Sequence, residues 1–165
     1  MEKTVNNENK LFAEPQTVFE RYADMVYRLA FVRTKNRYDA DDILQEVFLR
    51  YMKVWQNMDS EEHIKAMLIR ITVNCSNSFL TSYWFKKTEP LKDTLPSAEG
   101  GTDCGTLSEV LKLPIKYRTV IHLHYYVGYS VEEIANITST KPSTVKTQLF
   151  RGREKLKNAL ETEDL

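Results

Sequence analysis

The stretch from Gly128 to Leu156, GYSVEEIANITSTKPSTVKTQLFRGREKL, constrains the fold of this chain more than any other part of it. Ser130 and Glu133 have the spacing of a capping box, in which each side chain bonds the other residue's backbone amide at the start of a helix. The run Thr138 to Thr140 competes for backbone hydrogen bonds, and Pro142 is tolerated only in the first turn of a helix. We therefore expect a short helix, a tight polar turn and a second helix that begins near Pro142.

The second of these helices is amphipathic. Gly152 lies on its apolar side, where the missing side chain permits close packing against a neighbouring helix. The apolar stripe consists of Val145, Leu149, Leu156 and Leu160. Together the cap, the turn and the stripe predict two helices packed around a tight turn.

The other side of the second helix carries basic and hydrogen-bonding residues. From Lys141 to Lys157 the only acidic residue is Glu154, and this imbalance is typical of proteins that bind a phosphate backbone. At about 100° per residue, groups of the kind that read base edges gather away from the stripe. They are Ser143, Thr144, Thr147, Gln148 and Arg151. The pattern predicts a helix-turn-helix with a DNA-reading helix, and it disfavours the alternative of a solvated helix that closes a bundle.

Length and composition bound the remaining possibilities. The chain has 165 residues with 23 basic and 23 acidic side chains, so any affinity for nucleic acid must come from local patches. No run of about 18 apolar residues and no apolar signal core is present, so we expect a cytoplasmic protein. The cysteines and histidines lack metal-ligand spacing, and no nucleophile with a base can be assembled. We expect reduced thiols, no catalytic site, no metal and no cofactor.

The rest of the chain predicts an all-α fold of two small helical domains joined by a flexible linker. Order is expected to begin near Phe12, and helical periodicity extends from Thr17 to about Val32. Asp39 can cap a second helix, and Asp59 and Ser60 can cap a third. The Gly, Pro and Ser content of the stretch before the helix-turn-helix domain predicts the linker. The expected divisions are a disordered tail at 1–11, a domain at 12–87, the linker at 88–106 and a domain at 107–165.

An acidic cluster lies near the start of the second helix. Its members are Asp39, Asp41, Asp42, Gln45 and Glu46. Carboxylates in a first turn complement the helix dipole, which accounts for the three aspartates. Glu46, one turn further on, fits a partner surface better. The residues alone leave both explanations open.

The third helix is followed by an aromatic and cationic segment, SYWFKK at 82–87, of the kind that single-strand binders use. An aromatic plug that closes the helical core is the alternative, and we favour it for Trp84.

These segments resemble the extracytoplasmic-function sigma factors, the small bacterial sigma factors that direct RNA polymerase to promoters. DADDILQEVFLRYMKVW at 39–55 is similar to the family's core-polymerase-binding helix in sigma region 2. LKLPIKYRTVIHLHYYVGYSVEEIANI, followed by STVKTQLFRGREKL, is similar to its C-terminal sigma region 4 domain. The resemblance implies a promoter-specificity subunit, with no small-molecule substrate, that is not itself an enzyme.

The resemblance also implies partners and roles. Asp41, Asp42, Gln45 and Glu46 would face the β′ clamp coiled coil of core polymerase, whose β flap is a further contact. Residues implied in minus-10 melting are Asn74, Lys86 and Lys87. Those implied in minus-35 recognition are Ser143, Thr144, Lys146, Thr147, Gln148, Phe150, Arg151 and Lys155. Family members are usually held inactive by an anti-sigma factor, often membrane-bound, so such a partner is implied besides promoter DNA.

The chain departs from the family pattern at several positions. Met67 stands where many members have Trp, and Thr81 and Ser82 stand where many have Arg. Ser139 replaces a common Gly and Gln148 a common Arg, so the minus-35 sequence that this chain reads is not predicted. The alternative from another class is a dimeric helix-turn-helix regulator that acts without polymerase. A scaffolding helical protein is disfavoured by the basic helix.

Overall fold

The computed structural model describes residues 8–85 and 104–163, and the regular elements in these ranges are all helical. This confirms the all-α prediction with its C-terminal helix-turn-helix. Contacts divide the chain into two compact units. Residues up to Phe31 and from Tyr38 to the end of the third helix form the first, and Val32–Arg37 joins the later helices in the second. The predicted linker at 88–106 lies outside the described residues up to position 103, so its flexibility stays a prediction.

The first unit contains most of three long helices, α1 (Pro15–Thr34), α2 (Arg37–Val54) and α3 (Glu61–Phe85), with the end of α1 and the first residue of α2 grouped with the second unit. Short 3-10 segments precede α1 at Glu8–Ala13 and follow α2 at Trp55–Asn57. The buried hydroxyl of Tyr51 donates to the carbonyl of Ala13 at 2.7 Å and ties the first 3-10 segment to the core. Helical structure therefore begins at Glu8, earlier than predicted, while the rest of the predicted tail lies outside the described residues.

Two details of the first unit differ from the sequence prediction. Helix α2 begins at Arg37, so Asp39 lies inside its first turn and is not its cap. The buried side of α3 is wider than the predicted stripe, because Thr72 and Ser76 are buried as well. Their hydroxyls donate to the carbonyls of Leu68 and Val73 at 2.7 and 2.8 Å, which removes the cost of burying them. The predicted cap is present, since the Ser60 hydroxyl accepts from the His63 amide at 3.1 Å.

The second unit contains α4 (Cys104–Lys112), α5 (Ile115–Ile121), α6 (Val131–Thr138) and α7 (Pro142–Glu163). Helix α4 begins inside the predicted linker. Helix α5 continues into a π-helical turn at His122–Tyr126, which the sequence did not predict. The chain then reverses at Gly128, whose φ of 88° is accessible to glycine at little cost.

The predicted helix-turn-helix is formed by α6 and α7. The Ser130 hydroxyl accepts from the Glu133 amide at 3.2 Å, and the Glu133 carboxylate accepts from the Ser130 amide at 2.8 Å, which confirms the capping box. Helix α6 ends at Ser139, which adopts the left-handed conformation at φ 54°. The amides of Thr140 and Ser139 donate to the carbonyls of Ala135 and Asn136, as in a Schellman motif.

Helix α7 packs against α5 at Gly152. A Cβ atom at this position would lie 3.1 Å from Cγ1 of Ile121 and 3.4 Å from Cβ of Tyr117. Val145 and Leu149 are buried on the same side, as predicted, whereas Leu156 is half-buried and Leu160 is exposed. The apolar stripe is therefore covered only in its first half.

We expect Gly152→Val to destabilise the second unit by about 1–3 kcal/mol, because the added atoms overpack the contact with Ile121. Glu154→Val, at an exposed position two residues on, is the matched control and should stay within about 0.5 kcal/mol. Amide hydrogen exchange of α5 and α7 measures the change separately from the first unit. Equal protection in both variants would show that α5 and α7 are not tightly packed here.

We expect Ser139→Gly to stabilise the helix-turn-helix by roughly 0.5–1 kcal/mol. Relief of the left-handed strain, about 1–2 kcal/mol, outweighs the larger conformational entropy that glycine loses on folding. Asn136→Gly, inside α6, should have the opposite effect because that residue is helical. Hydrogen exchange at α6 measures both changes in stability. Destabilisation by Ser139→Gly would show that the left-handed conformation of Ser139 is not strained.

Candidate nucleic-acid interface

The start of α7 and the start of α5 line a surface groove of about 270 Å³. Its lining residues are Lys116, Tyr117, Ser143, Thr144, Thr147, Gln148 and Arg151. The groove thus brings together the hydrogen-bonding residues that helical phase placed on one side of α7. Lys146, Phe150 and Lys155, the other candidates on this helix, are exposed but do not line it.

The local sequence explains why these side chains face the groove. Pro142 starts α7, and the burial of Val145 and Leu149 sets the rotation of the helix about its axis. The Thr147 hydroxyl donates to the Ser143 carbonyl at 3.0 Å, an internal bond that leaves both lone pairs of this oxygen able to accept.

The basic residues at the groove lie around Tyr117. The neighbouring guanidinium of Arg151 lowers the pKa of the Tyr117 phenol, and the charges of Lys116 and Lys155 lower it further. The Lys116 ammonium lies 5.1 Å from the centroid of the Tyr117 ring, within the range of a cation–π interaction. Three basic residues from two helices therefore form one cluster around a tyrosine.

Lys116 and Tyr117 were not among the candidates from sequence. They lie on α5, and only the packing of α5 against α7 brings them beside Arg151. A signal was present in the segment LPIKYR, where a lysine and a tyrosine follow the proline that precedes a helix, but helical phase within one helix cannot reveal contacts with another.

Arg153 points away from the groove. Its guanidinium donates to the hydroxyl of Tyr125 at 2.8 Å, on the π-helical turn. Arg151 and Arg153 are both exposed on the same helix, but Arg151 lines the groove whereas Arg153 is bonded to Tyr125.

The acidic cluster forms a second candidate surface, on α2. Asp41, Asp42 and Gln45 are exposed, while Glu46 is half-buried and accepts from Nε of Arg50 at 2.8 Å. Burial, and then repulsion by the charge of Asp42, raise the pKa of Asp39. Only Asp39 lies in the first turn of α2, so the helix dipole accounts for one member of the cluster and not for the others.

Two large apolar side chains extend the same surface. Leu49 and Met52 are 58% and 57% exposed, and they follow Gln45 at helical spacing. Leu49 and Met52 are not predicted from the sequence as surface residues, because apolar residues on an amphipathic helix are expected inside. Acidic residues beside exposed apolar ones are typical of a protein-binding surface.

Of the minus-10 candidates, the structure describes only Asn74, which is exposed on α3. Lys86 and Lys87 lie outside the described residues. Within the described ranges no helix is long and apolar enough to span a membrane. The same ranges hold no group of three His, Cys, Asp or Glu side chains that could bind a metal ion.

Comparison with known families assigns both units. Residues 18–85 match the family described as Sigma-70 region 2. Residues 107–156 match Sigma-70, region 4, which includes α5, α6 and the start of α7. The two matches occur in the order that the resemblance implied.

Solved structures support the same fold. The sigma factor RpoE, in complex with the anti-sigma factor NepR from Bartonella quintana, aligns with a TM-score of 0.76 at 18% identity, covering 88% of this chain and 96% of that one. CnrH, in complex with the cytosolic domain of CnrY, aligns with a TM-score of 0.63 at 20% identity, covering 90% and 88%.

Curated relatives are similar over most of their length. RNA polymerase sigma factor SigV of Bacillus subtilis is 34% identical over 145 residues, which cover 84% of this chain and 86% of the relative. ECF RNA polymerase sigma factor SigW of the same organism is 32% identical over 167 residues, with 87% of each chain covered. With two sigma regions in order and relatives matched across both, the chain belongs to the sigma-70 family as an RNA polymerase sigma factor of the extracytoplasmic-function type.

Proposed function

We propose that this sigma factor recognises the minus-35 element through the groove between α5 and α7. The observation that carries the proposal is the convergence of hydrogen-bonding side chains with the basic residues Lys116 and Arg151 in one groove. Ser143, Thr144 and Thr147 are short hydroxyl groups, while Gln148 and Arg151 are long enough to reach base edges. In the usual geometry of major-groove readout an arginine donates to guanine and a glutamine pairs with adenine.

The remaining basic residues of α7 have a different role in this proposal. Lys146 and Lys155 are exposed outside the groove, where they contact backbone phosphates and position the helix without reading sequence. Phe150 is 56% exposed, although its apolar ring would be more stable inside. Contact with a thymine methyl group accounts for that exposure.

The acidic surface of α2 is proposed to bind core polymerase. Asp41, Asp42, Gln45 and Glu46 supply charge and hydrogen bonds towards the β′ clamp coiled coil, and Leu49 and Met52 supply apolar area. The second unit would contact the β flap. In this arrangement α3 reaches the minus-10 element through Asn74, with Lys86 and Lys87 further along the chain as candidates for the same DNA.

We also propose a protein partner and a location for this chain. NepR and CnrY are seen with structurally similar sigma factors, which supports an anti-sigma factor as a partner of this chain. A membrane-bound anti-sigma factor and a cytoplasmic location are consistent with the family. A sigma factor acts through the polymerase that it binds, so we propose no catalytic activity of its own. A dimeric regulator that works without polymerase is not favoured, because the sigma-factor relatives match both units.

We expect Arg151→Ala to weaken binding at cognate promoters by about 1–3 kcal/mol and to relax the preference at one or two base positions. Lys155→Ala should weaken binding equally on all sequences and reduce the magnitude of the log–log salt slope by roughly one. Holoenzyme binding to a library of minus-35 variants at several salt concentrations measures both.

Arg153→Ala is the matched control for this experiment. It removes an exposed arginine of the same helix whose guanidinium is bonded to Tyr125, so base preference should not change. If Arg151→Ala lowers the affinity for every sequence equally while Lys155→Ala changes the preferred bases, the two roles are exchanged. The proposed groove is then not the site that reads the bases.

We expect the double variant Asp42→Lys, Glu46→Lys to bind core polymerase more slowly and with altered salt dependence, while helicity and promoter recognition by the second unit are retained. The variant Asp41→Lys, Asp42→Lys should have the same effect with the Glu46–Arg50 pair left intact. Stopped-flow association with core polymerase at low and high salt measures the rate.

A charge-matched control places the same change elsewhere on the first unit. Glu20→Lys with Glu62→Lys alters two exposed carboxylates on α1 and α3. Identical association rates for this control and the α2 variants would contradict a specific polymerase surface on α2.

A further inference from the structure

The π-helical turn at His122–Tyr126 carries two tyrosines that face the solvent. Tyr125 is 57% exposed and Tyr126 is 63% exposed, and neither lines the groove. The turn has one residue more than an α-helical turn, since the Val127 amide donates at 3.1 Å to the His122 carbonyl five residues before it. Single π-helical turns within helices are frequent at functional sites. The two rings are therefore candidates for a binding site.

Contacts inside the second unit hold both rings in place. The Tyr126 ring stacks on the buried His122 ring, with 5.2 Å between the ring centroids and 9° between the planes. The Tyr125 ring is T-shaped with the ring of His124 at 4.9 Å. Nδ1 of His124 donates to the Tyr129 carbonyl at 2.8 Å, which fixes that imidazole. Rings that are already held lose little conformational entropy when a partner binds.

Helix α7 supplies a cation beside these rings. The Arg153 guanidinium donates to the Tyr125 hydroxyl at 2.8 Å, and Arg153 is exposed. A guanidinium has five N–H donors, so this bond leaves others for a partner. Lys157, exposed one turn further along α7, extends the positive charge. Tyr125, Tyr126 and Arg153 are called the tyrosine surface below.

The tyrosine surface is separate from the groove. Arg153 follows the groove residue Arg151 by two positions, which places the two side chains about 200° apart around α7. The groove residue Lys116 precedes Tyr125 by nine positions, which corresponds to roughly 13 Å along a helix. DNA in the groove would therefore leave the tyrosine surface accessible to a second partner.

The residue types favour a protein as that partner. Tyrosine and arginine are enriched among the residues that contribute most to protein–protein binding, because they combine apolar area with hydrogen bonds. Stacking of nucleic-acid bases needs open ring faces, and His122 covers one face of Tyr126. The positive charges of Arg153 and Lys157 are complementary to carboxylates. An acidic protein segment that also carries apolar side chains fits this surface.

We infer that the tyrosine surface binds an acidic protein segment of core polymerase while the groove of the same unit holds DNA. The inference rests on the proposed function, in which the second unit reads the promoter as part of holoenzyme, so that polymerase is the protein beside it. It assigns a polymerase contact to the π-helical turn and α7, distinct from the acidic surface of α2.

The first experiment measures the equilibrium affinity of the full chain for core polymerase without DNA. We expect Tyr125→Ala with Tyr126→Ala to weaken binding by about 5- to 30-fold, because two fixed rings are lost. Leu107→Ala with Leu160→Ala is the matched control, since it truncates two exposed apolar side chains of the same unit and should leave the affinity unchanged. The melting temperature of each variant measures whether the fold is retained.

The second experiment changes charge and leaves both rings in place. Arg153→Glu should weaken core binding by about 3- to 10-fold, and more at low salt than at high salt, because it places a carboxylate against the acidic segment. Lys141→Glu, exposed just before α7, makes the same change of charge and should have no effect. Arg153→Glu tests the inference even if the double tyrosine variant does not fold.

The outcomes separate this inference from the proposed function. A core affinity within about twofold of the wild type, for either variant in folded form, overturns the tyrosine surface while the assignments of the groove and α2 stand. Altered base preference of these variants on the minus-35 library would place the surface in DNA reading and would also overturn the inference. So would a loss of affinity for a single-stranded oligonucleotide at unchanged core affinity. If the unaltered protein does not bind core polymerase, the proposed function itself fails.

Discussion

The close approach of α5 and α7 at Gly152 is the contact on which the second unit depends. Because this position has no side chain, the two helices meet at the distance of van der Waals contact, and Val145 and Leu149 are buried beside it. That packing sets the rotation of α7 and so determines which of its residues are exposed. It also places Tyr117 and Lys116 beside Arg151. The absence of a side chain at Gly152 therefore affects both the stability of the second unit and the set of residues that line its groove.

Positive and negative charges lie on separate surfaces of this protein, and neither sign is in excess over the whole chain. The formal net charge is zero, yet the stretch from Lys141 to Lys157 contains Glu154 as its only acidic residue, while the exposed turns of α2 carry carboxylates next to Leu49 and Met52. Each surface suits a different partner, since a basic groove attracts a phosphate backbone and an acidic surface with apolar area suits a protein. A sigma factor must bind DNA and polymerase at once, and separate surfaces allow both without competition.

The turn between α6 and α7 combines a strong cap with a strained residue. The capping box at Ser130 and Glu133 determines where α6 begins, and the left-handed Ser139 determines where it ends. Strain at a non-glycine residue persists only where the surrounding structure requires it, and here the amides of Ser139 and Thr140 donate to the carbonyls of Asn136 and Ala135 in that conformation. The serine is one of the departures from the family pattern, so the turn geometry is retained although the residue is not.

The sequence by itself determined the helix class, the start of α6 at its capping box, the start of α7 at Pro142 and the side of α7 that faces the groove, because capping and periodicity act between residues a few positions apart. The start of α2 at Arg37 differs from the sequence prediction. The buried side of α3 is also wider than predicted, because Thr72 and Ser76 can be buried once their hydroxyls bond to carbonyls of the same helix. Only the tertiary structure decided that Tyr117 and Lys116 join the groove and that Leu49 and Met52 stay exposed. These features depend on which helix covers which, and contacts between segments far apart in the chain leave no periodic signal in either segment.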